Sequence, residues 1–200
     1  MHDIEPYYNW RDAYTSEADK LSPFFRRTYN EFCFTHSIYN YLIHPQWDYF
    51  GSPTLYLKIL FADYARQICI IELLGEWNDA IHNDIMFLKR EVLDVLSANG
   101  ICKFVLIGEN VLNFHESDDC YYEEWFEEVK ETGGWIAFIN FREHVLAEMR
   151  HAGIDRYVWC GEAFNDINWR CMRPYHMMRM VESRMHALES NPSDRLHPSP

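Results

Sequence analysis

The sequence predicts an α/β domain with a mainly parallel sheet, one antiparallel strand and helices packed on it, in the order β-β-α-β-α-β-α-β over residues 54–160. Three observations carry this prediction. Apolar runs of strand length alternate with longer stretches of helical periodicity. A short polar turn joins the first two runs, which suits an antiparallel pair. The later runs are separated by helices, and such connections are crossovers between parallel strands.

Leu55 to Phe61 reads as the first strand, Asp63-Tyr64-Ala65-Arg66 as the turn, and Gln67 to Leu74 as the second strand. Asn78 or Asp79 can cap a helix reaching about Ala98. Its stripe is Ile81, Ile85, Leu88, Val92, Val95 and Leu96, and Asn99-Gly100 stops it. Ile101 to Ile107 is a third strand, with Val111 to Phe114 continuing extended. Ser117 is placed to cap a helix over Asp118 to Thr132, with Tyr121, Trp125 and Val129 inward and Asp118 and Asp119 in the first turn. Trp135 to Ile139 reads as a strand, Arg142 to His151 as a helix with Val145, Leu146 and Met149 inward, and Arg156 to Trp159 as a last short strand.

Residues 1–53 form an aromatic-rich N-terminal extension holding 14 of the 33 Phe, Trp and Tyr residues. The stretch Thr28 to Leu42 fits helix or strand, and Pro45 and Gly51-Ser52-Pro53 mark the entry to the domain. The extension suits packing over a sheet edge, and its aromatics also suit an oligomer interface, so a homodimer is expected. Residues 161–200 form a C-terminal extension. Pro174 opens a helix carrying Met177, Met178, Val181, Met185 and Leu188, and 189–200 read as a disordered tail.

Composition excludes several classes. The net charge of −13 argues against nucleic acid and anionic membranes as partners. No apolar window is long enough to span a bilayer, and the N-terminus lacks the pattern of a signal peptide. The six cysteines form no C-x-x-C pair, which suits buried free thiols in a reduced cytoplasm. No metal site and no cofactor are expected. The charge is local: Glu116 to Glu131 carries eight acids against Lys130 alone, a net −7 in sixteen residues.

Several segments resemble the STAS domain, the fold of anti-sigma factor antagonists and of sulfate-transporter tails. Residues 68–79, ICIIELLGEWND, are similar to its second strand and following turn, here Gly75-Glu76-Trp77-Asn78. Residues 103–119, KFVLIGENVLNFHESDD, are similar to the strand and loop leading to its Asp-Ser-Ser-Gly segment, with Phe114 as the preceding apolar residue, Glu116 as the Asp and Ser117 as the phosphorylatable Ser. Residues 133–140 and 143–158 are similar to its fourth strand and terminal helix. Asp118 and Asp119 stand where the family has its second Ser and its Gly, and Gly108 replaces an acid at the end of the third strand. The resemblance covers residues 55–159. It implies a cytoplasmic, bacterial, non-catalytic module that docks a protein partner, an anti-sigma factor or a kinase-like protein, through the loop around Ser117.

Ser117 has two compatible readings, an N-cap and a phosphoacceptor. A phosphate there meets Glu116, Asp118 and Asp119, so the acids weigh against a simple phospho-switch. Glu123 and Glu127 join Glu116, Asp118 and Asp119 as candidate partner-binding residues, against the plainer reading of a solvated helix face. No catalytic residues are nominated, since no Gly-x-Ser-x-Gly elbow is present. The alternatives are an oligomeric scaffold that assembles through its extensions, and an enzyme with a site between the N-terminal extension and the sheet.

Overall fold

The computed structural model describes residues 3–30 and 32–190. In chain order, β1 is Ser37–Ile38, β2 Tyr41–Leu42, β3 Leu55–Asp63 and β4 Ile68–Asn78. Three short helices follow: α1 Asp79–His82, α2 Asp84–Leu88 and α3 Asp94–Ala98, with a π-helical turn at Lys89–Leu93 between the last two. Then come β5 Lys103–His115, α4 Cys120–Glu131, β6 Trp135–Ile139, α5 Glu143–His151 and α6 Pro174–Ser190. β3, β4, β5 and β6 lie in that order in one sheet; β3 pairs antiparallel with β4, and the other pairs are parallel. The α/β class and the mixed sheet are therefore as the sequence predicts.

Within their regular stretches the strands alternate between two buried faces, as period-2 side-chain geometry requires, with the register shifting between Ile59 and Phe61 and again in the second half of β4. On one face Leu57, Ile59, Ile71, Leu73, Phe104, Leu106, Ile136 and Phe138 pack with Leu88, Leu93 and Leu96, with Trp125 and Val129 of α4, and with Val145 and Met149 of α5. On the other, Leu60, Ile70, Val105, Ile107 and Ile139 meet Met177, Met178, Val181 and Met185 of α6 together with Trp10 and Trp169. A smaller cluster sets Ile38, Ile43 and Trp47 of the extension against Tyr56 and Leu74.

Several local expectations are corrected. β4 runs to Asn78 and not to Leu74. Gly75 permits this, because at φ 121° it passes so close to β3 that a Cβ would lie 2.1 Å from the Thr54 carbonyl oxygen. The expected continuous helix from Asp79 is broken at Asn83, which adopts φ 53° and ψ 51°. Two buried acids drive the break: Asp84 accepts from the Asn78 backbone N–H at 2.7 Å and Asp79 from that of Ile85 at 2.8 Å. Asn78 does cap α1, accepting from the Ile81 N–H at 3.0 Å. Ile81 consequently leaves the stripe and is 77% exposed, while Leu93, shifted in phase by the π turn, is buried.

β5 is one continuous strand through Gly108. The expected last strand at Arg156 to Trp159 is absent. Ile154–Arg156 is a 3-10 turn, and only Trp159 bridges β6, through bonds of 2.8 Å with Ile136 and Phe138. The described residues of Thr28 to Leu42 are largely turn and coil, with only the β1–β2 hairpin around Tyr39, at φ 53°, among them. The six thiols are unpaired, and Cys33, Cys120 and Cys171 are exposed where buried cysteines were expected. α6 extends through Ser190; the rest of the expected tail, 191–200, lies outside the described residues. No helix among the described residues is long and apolar enough to cross a membrane.

Segments outside the sheet's own strands close both of its edges. Asp48 pairs with Leu57 on the outer edge of β3, while its buried carboxylate accepts from Lys58 at 3.1 Å, Arg27 at 2.9 Å and Tyr29 at 2.7 Å. On the far edge, Trp159 and Phe164 satisfy β6 and Asn140. An uncovered edge is a template for association, so this sealing matters beyond packing.

Candidate functional site

The region singled out by the sequence lies where β5 ends and α4 begins, at the carboxyl ends of the parallel strands. Its floor is rigid. Asp79 is buried and its carboxylate accepts from the Tyr122 hydroxyl at 2.6 Å, the Trp77 indole N–H at 3.0 Å and the Ile85 N–H. Burial pushes the Asp79 carboxyl up to about 6 against these hydrogen bonds, and burial likewise raises Asp84. Because Tyr122 sits in the first turn of α4, this network fixes the helix start to β4.

Above the floor, residues 116–119 form an open loop. Ser117 is exposed and does not cap α4, contrary to the expectation. Asp119 holds the N-cap position, and its side chain makes no capping bond. Its carboxylate is drawn to Arg156 at 2.8 Å and to the Tyr157 hydroxyl at 2.9 Å, tying the loop to the segment after α5. Hydrogen bonds from the Cys120 thiol and then from the Cys120 backbone N–H, the latter at 3.3 Å, hold the Asp118 carboxyl below the usual range. Hydrogen bonding to Asp118 pushes the Cys120 thiol up to about 11, so it carries no thiolate near neutral pH.

The acidic helix has two flanks with different fates. Glu124 and Glu128 face the π turn, where Arg90 makes two bonds of 2.9 Å to Glu124 and Lys89 reaches Glu128 at 2.8 Å and Asp94 at 2.7 Å. Lys89 is 0% exposed. Burial pulls its ammonium down, but the bonds to Asp94 and Glu128 outweigh this and its pKa ends above the ordinary value. Glu123 and Glu127 point outward, Glu127 meeting only Lys130 at 3.6 Å. Of the candidate residues, Glu116, Asp118, Glu123 and Glu127 are thus exposed around Ser117, while Asp119 is half-buried and engaged within the fold.

Beside the loop lies a groove of about 500 Å³ with Phe114, Ala80 and Ala147 as its apolar lining and Glu116, Glu148 and His151 on its walls. His151 stands 3.8 Å from Glu116. The groove residues on α1 and α5 escaped sequence reasoning, because a continuous helix after Asp79 would have turned Ile81 inward. The available signal was Asn83-Asp84, a pair suited to a left-handed break. A pocket lined by Tyr7, Arg11, Tyr14 and Lys58 holds about 10 Å³, room for one water. Among the described residues, no three or more His, Cys, Asp or Glu side chains converge as a metal site would require.

No family model matches the chain, and no curated protein matches it. Among solved structures, the chain is similar to that of a candidate anti-sigma factor antagonist from Thermotoga maritima, at 17% identity and a TM-score of 0.39, over 63% of this chain and 92% of the other.

Proposed function

We propose that this chain is a non-catalytic regulatory module of STAS type that docks a protein partner at the start of α4. The observation that carries the reading is the loop itself. Ser117, Glu116 and Asp118 stand exposed on a floor locked by Asp79 and Tyr122, flanked by Glu123 and Glu127 and by an apolar groove. An anti-sigma factor or kinase-like partner is the class that the resemblance of Gly75–Asn78 and Phe114–Ser117 implies. Ser117 is accessible to a kinase, and a phosphate there joins Glu116 and Asp118, so the loop is already negative before modification. The module is placed in the cytoplasm.

The test is affinity capture from the native cell with wild type and the double variant Glu116→Arg/Glu123→Arg as baits. A specific protein partner held by wild type and retained at least about tenfold less by the variant is expected, since reversed charges at a rim oppose association. Equal retention by both baits, or no partner at all, overturns the reading. Intact-mass analysis of the native protein with and without phosphatase then decides whether Ser117 is modified.

A second reading, an oligomeric scaffold, draws on the exposed aromatics of the extension, with Phe32 93% exposed beside exposed Tyr39 and Tyr41. Light scattering on the full chain distinguishes it: a monomer at micromolar concentration removes the homodimer.

A further inference from the structure

Three irregular pieces of backbone meet at one cavity, on a part of the molecule the Ser117 loop does not use. Arg26 adopts φ 63°, a conformation that residues with a Cβ rarely hold. Gly51 adopts φ 118°, and a Cβ there would lie 2.6 Å from the Phe87 ring. Glu91 belongs to the π-helical turn, a feature frequent at functional sites. These residues line a cavity of about 540 Å³, a volume ordinary for a small-molecule site. Of the three, Arg26 alone is a non-glycine residue at positive φ, and an outlier of that kind beside a cavity points toward a function.

The lining is aromatic with one available cation. Phe24, Phe25, Phe50 and Phe87 supply ring surface. Arg27 is committed elsewhere, donating to Asp48 at 2.9 Å and to the Tyr49 carbonyl oxygen at 3.1 Å. Arg26 lies 5.0 Å from the Phe25 ring centre, and no carboxylate among the described residues pairs with it. Its backbone is nonetheless pinned, with its N–H donating to the Glu17 carbonyl oxygen at 2.9 Å. Arg26 is an exposed lining residue on a fixed backbone, and its guanidinium supplies positive charge there in a chain of net charge −13.

We propose that this cavity binds a small aromatic monoanion, its ring among Phe25, Phe50 and Phe87 and its carboxylate on Arg26. A guanidinium fork matches a carboxylate in shape as well as charge. Glu91 in the same lining opposes a second negative charge and so limits the ligand to one. This site is independent of partner docking at Ser117.

The experiment is an NMR titration of the ¹⁵N-labelled full chain with phenylacetate, with phenethylamine and 2-phenylethanol as cationic and neutral comparators. Phenylacetate is expected to shift the amides of residues 24–27, 49–51 and 87–91 saturably, and both comparators to bind at least about fivefold more weakly. Arg26→Gln should weaken phenylacetate about fivefold, with partial recovery in Arg26→Lys. Glu91→Gln should tighten it about twofold by removing a like charge. The proposal is overturned by equal binding of the three probes, by shifts centred elsewhere, by weaker binding in Glu91→Gln, or by no saturable shift up to about 10 mM. Since Glu91 is exposed, its variant reads out the sign of the charge effect even if Arg26→Gln disturbs the fold.

Discussion

One face of the β3–β6 sheet is covered by helices that lie within the same hundred residues, and the other by the two ends of the chain. The sheet side of the helix face is apolar, with Phe138 and Leu106 fully buried, and its buried charges, Asp79, Asp84 and Lys89, sit on the helices and turns that cover it. The opposite face encloses charge. Glu72, on β4, is 1% exposed and accepts from the Tyr7 N–H at 2.9 Å and from Arg170 at 3.3 Å. Arg170 also pairs with Glu109, which accepts from the Trp169 indole N–H at 2.7 Å and from Asn140 at 2.7 Å. Tyr7, Trp10 and Trp169 interlock edge to face, and Trp10 donates to the Met172 carbonyl oxygen at 2.8 Å. The first face is held by apolar contact, which tolerates no loss of volume. The second is a clasp that needs both termini in place before its polar groups are satisfied.

The largest expected effect breaks the helix face. Phe138 stacks on Phe141 at 5.1 Å and 19° and touches Trp77 and Trp125, so Phe138→Ala opens a cavity beneath two helices. A loss of about 3–5 kcal/mol in urea unfolding is expected, with hydrogen exchange rising across the whole sheet. Trp169→Ala removes a similarly buried ring from the other face. There, exchange should rise first in residues 7–14 and 165–173 while β4 and β5 stay protected. Identical exchange patterns in the two variants would erase the distinction between the faces.

This contrast also explains what could be read from the sequence. Trp125 and Val129 of α4 and the stripe Val145–Leu146–Met149 of α5 lie within single helices, and local periodicity places them inward without any knowledge of partners, although the tyrosine buried beside Trp125 is Tyr122 and Tyr121 is only partly buried. The Met177–Met185 stripe of α6 is equally legible, but not the surface it covers. Tyr7 and Arg170 are 163 residues apart, so nothing local marks their contact. The type of Ser117 suits a cap, whereas the position of Asp119 at the helix start depends on Arg156 and Tyr157, which the fold brings near. The break at Asn83 was hidden by a competition between helix propensity and the buried carboxylates of Asp79 and Asp84. The groove beside Ser117 followed that break out of view. Acid content located the negative loop, yet not that Glu124 and Glu128 are neutralised by Arg90 and Lys89.

A smaller effect sharpens the comparison by its pH dependence. Burial pushes the Glu72 carboxyl up to about 7 from an ordinary 4.5, with Glu109 adding to the rise and the Tyr7 N–H and Arg170 opposing it. Lys58 stands opposite on β3, but its ammonium is committed to Asp48. Between pH 4.5 and 7 the folded protein therefore keeps a proton that the unfolded chain has released. Stability must fall as pH rises through that window and level off above it. Asp79 acts in the same direction up to about pH 6. Glu72→Gln keeps an acceptor for Tyr7 and cannot ionise, so it should flatten the decline and exceed wild type at pH 8 by about 1–3 kcal/mol. Unfolding midpoints at pH 5 and pH 8 check this. A wild type more stable at pH 8 than at pH 5 would show that Arg170 holds Glu72 charged, and the buried-acid account of this face would be lost.

The smallest effect tests where the clasp ends. Arg173 meets both carboxylate oxygens of Asp12, at 2.9 and 2.8 Å, and so joins the same two terminal segments as Tyr7 and Arg170. Its geometry is better than that of the Arg170–Glu72 pair, yet both partners are about 60% exposed. In water the attraction is screened, and ordering two long side chains offsets much of it. Arg173→Ala should therefore cost no more than about 0.5 kcal/mol, and added salt should leave the difference from wild type nearly unchanged. A loss above about 1 kcal/mol would mean that the rim and the buried centre of the clasp act as one unit. In that event, the Tyr7–Trp10–Trp169 cluster could not hold the terminal segments without the exposed ion pair, and the cooperative unit of this face would reach outward to Asp12 and Arg173.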